Sequence, residues 1–133
     1  MNIYLAGGMQ GGWSDQLRNF PWLYDINWLD PRDWAEDCPT PRDYTARDLA
    51  EIRSADLVVA HMDSSNPSGY GMSFEVGYAV ALGKPVVYWD GMDGDWRDKY
   101  FGMIRSTAIP VASLNQVVSA VEGFFERRGY PAK

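Results

Sequence analysis

Ala55-Asp56-Leu57-Val58-Val59-Ala60, the turn-rich Asp63-Ser64-Ser65-Asn66-Pro67-Ser68-Gly69-Tyr70-Gly71, the segment Phe74 to Leu82, and Pro85-Val86-Val87-Tyr88-Trp89 together decide the fold. The first run is β-branched and nearly continuous in apolar residues, the pattern of a strand buried on both faces. Phe74, Val76-Gly77, Ala79-Val80 and Leu82 before Gly83 describe a helix with a glycine stop, and a second apolar strand follows at once. Strand, helix and strand in that order form a parallel crossover unit. Upstream, Leu49, Ile52 and Ala55 recur with helical spacing, which predicts a helix over Tyr44 to Ser54. The opening run Ile3-Tyr4-Leu5-Ala6 breaks at Gly7-Gly8-Met9-Gln10-Gly11-Gly12 and reads as strand one entering a flexible turn. Ser14 is placed to cap a short helix through Phe20. Ile26 to Leu29 reads as a second strand ending at Asp30-Pro31-Arg32-Asp33. Pro31, Pro39 and Pro41 make Ala35 to Arg42 a mobile loop, a candidate lid. Downstream, Asp90 to Asp95 reads as a loop and Trp96 to Ile104 as a short helix. Ser113-Leu114-Asn115-Gln116 has the capping-box spacing that opens a final helix to about Arg127, with Gly129 to Lys133 as its end.

Near-continuous apolar strands alternating with helices argue for a parallel sheet covered on both faces. The expectation is one α/β domain over residues 1–133: three layers, α/β/α, around a five-stranded parallel sheet of flavodoxin/Rossmann-like order 2-1-3-4-5. Sheets of this kind take ligands at the carboxyl ends of the strands, where neighbouring connections leave to opposite sides. In this order that crevice lies between strands one and three. The Gly7 to Trp13 loop, the Asp30 to Asp33 corner and the Asp63 to Gly71 loop converge on it.

The chain has 133 residues, 46% of them hydrophobic, 14% aromatic and 23% charged, which is the range of one folded globular domain. A net charge of −6 with no basic run argues against nucleic acid as a partner. A single Cys38 and a single His61 leave too few soft ligands for structural zinc and no internal disulfide. Apolar runs fall short of a membrane span, and Met1-Asn2-Ile3-Tyr4 lacks the basic region and cleavage site of a signal peptide. A reducing cytoplasmic compartment is the default expectation, with no membrane partner.

A Gly-rich loop after strand one invites a phosphate-binding reading. Trp13-Ser14 stands where a Walker A motif needs Lys-Ser or Lys-Thr, and Met9 breaks the dinucleotide fingerprint. The loop's N–H groups can still hold one phosphate or a sugar hydroxyl, and a tight turn that lets strand and helix pack is the equally open alternative. Glu75 lies among Met72, Phe74, Val76 and Ala79, and Asp48 is flanked by Leu49 and Ile52. A pair of carboxylates in different environments is what glycosyl chemistry uses, one to attack the anomeric carbon and one to relay a proton. An exposed first-turn Glu favoured by the helix dipole, and a surface Asp partnering Arg47, Glu51 or Arg53, are the plainer readings. Periodicity leaves both open.

Over most of residues 2–90 the chain resembles the nucleoside 2-deoxyribosyltransferase family and the related 2′-deoxynucleoside 5′-monophosphate N-glycosidases. The resemblance is carried by Ile3-Tyr4-Leu5-Ala6-Gly7, by Arg47-Asp48-Leu49-Ala50-Glu51-Ile52 through Ala55-Asp56-Leu57-Val58-Val59-Ala60, and most sharply by Gly71-Met72-Ser73-Phe74-Glu75-Val76-Gly77-Tyr78-Ala79 with Leu82-Gly83-Lys84-Pro85-Val86. It implies Glu75 as the nucleophile of a covalent deoxyribosyl intermediate, Asp48 as acid/base and sugar-positioning group, and Tyr4 as the group that hydrogen-bonds the nucleophile. It implies no cofactor and no metal, a nucleoside or nucleotide and a free nucleobase as small-molecule partners, and a homo-oligomer in which a neighbouring subunit completes the site. The segment Asp98 to Arg105 is the candidate for that contribution. The transferases resembled here carry another Asp shortly before the nucleophile, where this chain reads Asn66-Pro67-Ser68-Gly69-Tyr70-Gly71. Ser68 matches a phosphate-contacting Ser of the N-glycosidases, and Gly8-Met9-Gln10-Gly11-Gly12 matches their first-loop glycine run. Both tilt the expectation toward tolerance of a 5′-phosphate, with a plain turn hydroxyl as the other reading of Ser68.

The expected substrate-binding set is therefore Gly7, Gly8, Met9, Gln10, Gly11, Asp30, Arg32, Asp33, Ser68, Gly69 and Gly71. Asp30, Arg32 and Asp33 stand where the resembled family reads the base, with a salt-bridged loop corner as the alternative. Trp13, Trp28 and Trp34 can stack on a base or fill the core. His61 reads as a satisfied loop residue. Asp90, Asp93, Asp95 and Asp98 lack EF-hand spacing and read as a solvated acidic loop. A chain this short leaves little for a lid, so excluding water calls for a second subunit. A nucleotide-binding or sensing module without turnover, silent because the third carboxylate is absent, is the rival function. An acidic pocket suits a developing oxocarbenium ion and resists a phosphate, so nucleoside against nucleotide stays open.

Overall fold

A computed structural model describes all residues, Met1–Lys133. Five parallel strands, β1 (Asn2–Ala6), β2 (Asn27–Leu29), β3 (Leu57–Asp63), β4 (Val86–Gly91) and β5 (Ile109–Val111), form one sheet of order β2-β1-β3-β4-β5. Helices α1 (Trp13–Arg18), α2 (Pro41–Ser54), α3 (Tyr70–Ala81), α4 (Gly102–Thr107) and α5 (Leu114–Arg127) cover it. The expected class and strand order are those observed; β5 is the strand for which the sequence reading names no residues.

Strand periodicity sorts the interior into two cores. Tyr4 and Ala6 of β1, Val58, Ala60 and Met62 of β3, and Val86 and Tyr88 of β4 pack with Ile52 of α2 and Met72, Val76 and Ala79 of α3. The intervening residues Ile3, Leu5, Leu57, Val59 and Val87 pack with Leu17 of α1 and Val117, Val121 and Phe125 of α5. Alternate side chains of a strand point to opposite faces, so a doubly covered sheet needs both sets apolar. The register Tyr4↔Val58 to Ala6↔Ala60 brings the carboxyl ends of β1 and β3 side by side. The chain leaves β1 toward the α1/α5 layer and β3 toward the α2/α3 layer, which opens a crevice between them.

Three element starts differ from the sequence reading. Helix α2 begins at Pro41, one turn before Tyr44, because Thr40 Oγ1 accepts from Asp43 N at 3.2 Å and Pro41 occupies the first helical position. A proline there costs nothing, since that N–H has no intrahelical acceptor. The expected loop of residues 35–42 is accordingly ordered as a single 3-10 turn, Ala35–Asp37, followed by this cap. Helix α3 begins at Tyr70, inside the segment read as a loop. Gly69 (φ +72°) precedes it, and a Cβ there would sit 2.8 Å from Met62 Sδ and 2.9 Å from the Phe101 ring. Helix α1 begins at Trp13 behind Gly12, so Ser14 is buried in the first turn instead of capping it.

The Gly83 stop is as expected: Gly83 N donates to Val80 O and Lys84 N to Ala79 O, a Schellman closure. Ser113 caps α5 by accepting from Gln116 N at 3.2 Å, while Gln116 Oε1 accepts from Ala112 N, one residue before the expected return bond. The region Trp96 to Ile104 forms a 3-10 turn, Asp98–Phe101, running into α4. No helix is long and apolar enough to cross a membrane.

Candidate active site

Gly7 directly follows β1 with no room for a side chain: a Cβ would lie 2.7 Å from the Trp13 ring and 2.8 Å from His61 O. The first loop is therefore pressed against β3, and Trp13 Nε1 donates to Gly8 O at 2.8 Å to hold it there. On the other side of the crevice, Arg97 donates to Asn66 O and Pro67 O, both at 2.6 Å, and fixes the loop leading into α3. Between these walls lies a cavity of about 700 Å³. Gly7, Gly8 and Met9 line it from the first loop, Trp34 and Cys38 from the β2–α2 connection, and Tyr44 and Asp48 from α2. Asn66, Tyr70, Gly71, Phe74 and Glu75 line it from the β3–α3 loop and α3, and no Lys, Arg or His is among its lining residues.

Glu75 and Asp48 meet in this cavity. Tyr4 projects from the α2/α3 face of β1 and donates its hydroxyl to Glu75 Oε2 at 2.5 Å. Trp34 Nε1 donates to Asp48 Oδ1 at 2.9 Å. Burial is the main cause that pushes the Glu75 carboxyl up to about 8; the Tyr4 hydrogen bond pulls it down, and the hydrogen-bonding contact and charge of Asp48 push it up again. Burial, then the Glu75 charge, raises the Tyr4 phenol far above its ordinary range, so Tyr4 remains a protonated donor. The four side chains thus form one chain, Tyr4 to Glu75 to Asp48 to Trp34. Raised to about 8, the Glu75 carboxyl keeps its proton near neutral pH, between the Tyr4 donor and Asp48.

The other expected binding residues separate into two groups. Gly7, Gly8, Met9 and Gly71 line the cavity, whereas Gln10 and Gly11 are on the exposed far side of the first loop. Ser68 is exposed and accepts from Tyr70 N at 3.3 Å, and Gly69 is buried against Met62 and Phe101; neither lines the cavity.

Asp30, Arg32 and Asp33 form a salt-bridged corner beside it. Asp30, 2% exposed, pairs with Arg32 Nη2 at 2.8 Å and Arg18 Nη1 at 3.1 Å. Arg32 also pairs with Asp15, and Arg18 with Asp33. Burial pushes the Asp30 carboxyl up, yet the side-chain and backbone hydrogen bonds of Arg32, with Arg18, outweigh it and leave it lowered.

Trp13 is a core residue, Trp28 packs on Trp22 outside the cavity, and Trp34 lines it. His61 is satisfied by Trp89 O at 2.9 Å and Asp63 Oδ2 at 3.0 Å. Asp90 and Asp98 pair with Arg105, and Asp95 with Arg97.

Sequence reasoning passed over Tyr44, Asn66, Tyr70 and Phe74. Tyr70 and Phe74, four apart and directly before Glu75, mark one helical face, a signal hidden by starting α3 at Phe74. Asn66 carried a turn signature, and its Oδ1 does accept from Gly69 N at 3.0 Å.

Residues 3–106 match the family described as nucleoside 2-deoxyribosyltransferase. The chain belongs to that family. Among curated relatives, the 5-hydroxymethyl-dUMP N-hydrolase of Mus musculus is 35% identical over 100 residues, covering 65% of this chain and 55% of the mouse protein. Among solved structures, a 2-desoxiribosyltransferase from Leishmania mexicana superimposes with a TM-score of 0.53 at 25% identity, over 67% of this chain and 63% of that one. The chain thus spans somewhat over half the length of both. One similar protein, then, is named for hydrolysis and one for transfer.

Proposed function

We propose that this protein cleaves or exchanges the N-glycosidic bond of 2′-deoxynucleosides or their 5′-monophosphates through a covalent glycosyl-Glu75 intermediate. The observation that carries the reading is the single hydrogen-bonded chain of Tyr4, Glu75 and Asp48 in a cavity without a cationic side chain. In the resting pair the shared proton rests mainly on Glu75. Passing it to Asp48 ionises the nucleophile and charges the acid in one movement. A Glu75 oxygen then bonds to C1′, the C1′–N bond breaks, its electron pair leaves with the base, and Asp48 supplies the proton the base needs. Tyr4 keeps its own proton and orients Glu75. Attack on the ester by water, or by a second base, releases the sugar with its starting configuration. The two carboxylates suit the positive charge developing at the anomeric carbon.

A phosphate would rely on backbone N–H groups, at the amino end of α3, where Tyr70, Gly71 and Met72 line the cavity, or in the first loop at Gly7 to Met9. Tyr70 and Phe74, 81% and 59% exposed, rim the cavity mouth and are the surface we assign to a second copy of the chain, forming a homo-oligomer. Sedimentation of the intact chain tests that assignment: a monomer at assay concentration would refute it.

The activity is tested by incubating the protein with a panel of deoxynucleosides and deoxynucleotides, with and without a second free base. Free base alone identifies a hydrolase and a swapped nucleoside a transferase. A 2-fluoro-2-deoxy substrate should leave an adduct on the peptide containing Glu75. Ligand-induced stabilisation without any product would instead favour the binding module.

A further inference from the structure

Trp34 is nearly fully buried, yet its indole N–H is directed at a carboxylate rather than at a backbone carbonyl. The other two indole donors with internal partners behave differently: Trp13 Nε1 bonds Gly8 O and Trp22 Nε1 bonds Leu17 O. An indole N–H can only donate, so Asp48 Oδ1 serves as its acceptor, and a proton on that oxygen is disfavoured relative to its partner oxygen. The other oxygen of Asp48 is left for the proton shared with Glu75.

The ring itself is held from several sides. It lies 6.5 Å from the Tyr4 ring, and the Arg47 guanidinium stands 4.7 Å over its face. Its backbone lies between two single 3-10 turns, Pro31–Asp33 and Ala35–Asp37, with Trp34 N donating to Pro31 O and Trp34 O accepting from Asp37 N. The first of those turns is capped by Asp30, whose Oδ1 accepts from Arg32 N at 3.0 Å. The ion-paired corner is therefore a mount for Trp34.

We propose that Trp34 is a positioning residue for the glycosyl reaction: its indole N–H fixes one oxygen of Asp48 and so directs the shared proton to the oxygen that faces Glu75. The proposal rests on Asp48 being the proton relay. The titratable and charged groups around it are Tyr4 on β1, Asp30 after β2, Arg47 and Asp48 on α2, and Glu75 on α3. Arg47 is itself engaged by Glu51 at 2.9 Å, so it bears on the ring face and not on the carboxylate pair.

Two measurements test it. Trp34→Phe retains an aromatic ring beside Arg47 and removes the donor together with part of the indole volume. It should lower kcat by 10- to 100-fold with KM within about threefold, shift the pH profile of kcat, and cost nothing further when added to Asp48→Asn. An unchanged kcat and pH profile would overturn the proposal, as would a loss confined to KM, which would make Trp34 a stacking platform. In the unmodified chain, the indole ¹⁵N–¹H signal of Trp34 should move with the titration of the carboxylate pair while that of Trp22 does not. A Trp34 signal blind to that titration overturns the proposal even where Trp34→Phe fails to fold. The signal needs no turnover, so an inactive protein whose Trp34 still follows the pair would remove the functional reading and leave the positioning role standing.

Discussion

Two acidic centres, Asp30 just after β2 and Glu75 where α3 meets Tyr4 of β1, are built from the same kind of group and opposite in electrostatic character. Asp30 is buried with two arginines and four hydrogen-bonded contacts to Arg32, and its carboxyl is held below the usual range. Glu75 is half-buried with a phenol and another carboxylate, and its carboxyl is pushed up to about 8. Burial raises both; what differs is whether a cation compensates it. The contrast teaches that an acidic residue in a crevice is not itself a reactive one. Reactivity follows where the desolvated carboxylate has been left without a positive partner, at a cost in stability that the ion-paired corner does not incur.

The largest expected effect separates the two centres by activity. Glu75→Gln, close in shape and unable to attack, should lower turnover by about 10³-fold or more while the folded chain persists. Full activity in that variant would place the chemistry elsewhere.

Stability against pH should then divide them in sign. The folded pKa of Glu75 lies above its unfolded value of 4.5. The native state therefore binds the extra proton, and stability falls as pH rises from about 4.5 to about 8, by on the order of 3 kcal/mol allowing for partial exposure. Urea melts of Glu75→Gln should lack that fall and exceed the parent chain at pH 9. Asp30, lowered, contributes in the opposite sense: its stabilisation is present above the unfolded carboxylate value and is lost as pH falls through the folded one. Asp30→Ala should cost about 2–3 kcal/mol at pH 7 and little at the acid extreme, since it strips two arginines of a buried partner while leaving them access to water. Parallel pH slopes for the two variants would break the comparison.

Tyr4→Phe comes next. Tyr4 is fully buried and its only hydroxyl partner is Glu75. Removing the donor that pulls Glu75 down should raise that carboxyl further and displace the pH profile of kcat to the alkaline side. Turnover should fall by about 10- to 150-fold, a charge-assisted hydrogen bond to a carboxylate being worth about 1.5–3 kcal/mol. A shift to the acid side would mean that Tyr4 packs against Glu75 without donating to it.

The sheet was legible because fully buried parallel strands announce themselves: Leu57 to Ala60 and Val86 to Tyr88 are apolar at every position, and only a sheet covered twice can bury both parities. Tyr4, Glu75 and Asp48 were legible through the family resemblance and not through periodicity, which left Asp48 as a surface partner for Arg47 or Glu51. At the Asp30 corner base contact and a salt-bridged corner stayed equally open, because sequence shows which charges are near in the chain but not that Arg18, in α1, closes on the same carboxylate. Trp34 was visible only as an aromatic residue; its function resides in the direction of one N–H, set by two 3-10 turns that proline-rich sequence presents as loop. The lid expected at residues 35–42 is instead the ordered connection that carries it.

The smallest effect concerns Ser68. Its hydroxyl is exposed, accepts only from Tyr70 N at the rather long distance of 3.3 Å, and lies outside the cavity that holds Glu75 and Asp48. An exposed turn hydroxyl of this kind contributes at most about 0.5 kcal/mol, so Ser68→Ala should leave Tm nearly unchanged. Its kinetic consequence is more telling. If the 5′ end of the substrate lies at the first turn of α3, the N–H groups of Gly71 and Met72 reach it without help from Ser68, and KM for a deoxynucleoside and for its 5′-monophosphate should both stay within about twofold. A tenfold rise in KM confined to the monophosphate would show that the hydroxyl turns inward to the phosphate. That result would move the negative charge of the substrate toward the Asp63–Gly69 loop, held by Arg97, and away from the carboxylate pair. An acidic cavity could then accept an anionic substrate by keeping its two charges at opposite ends.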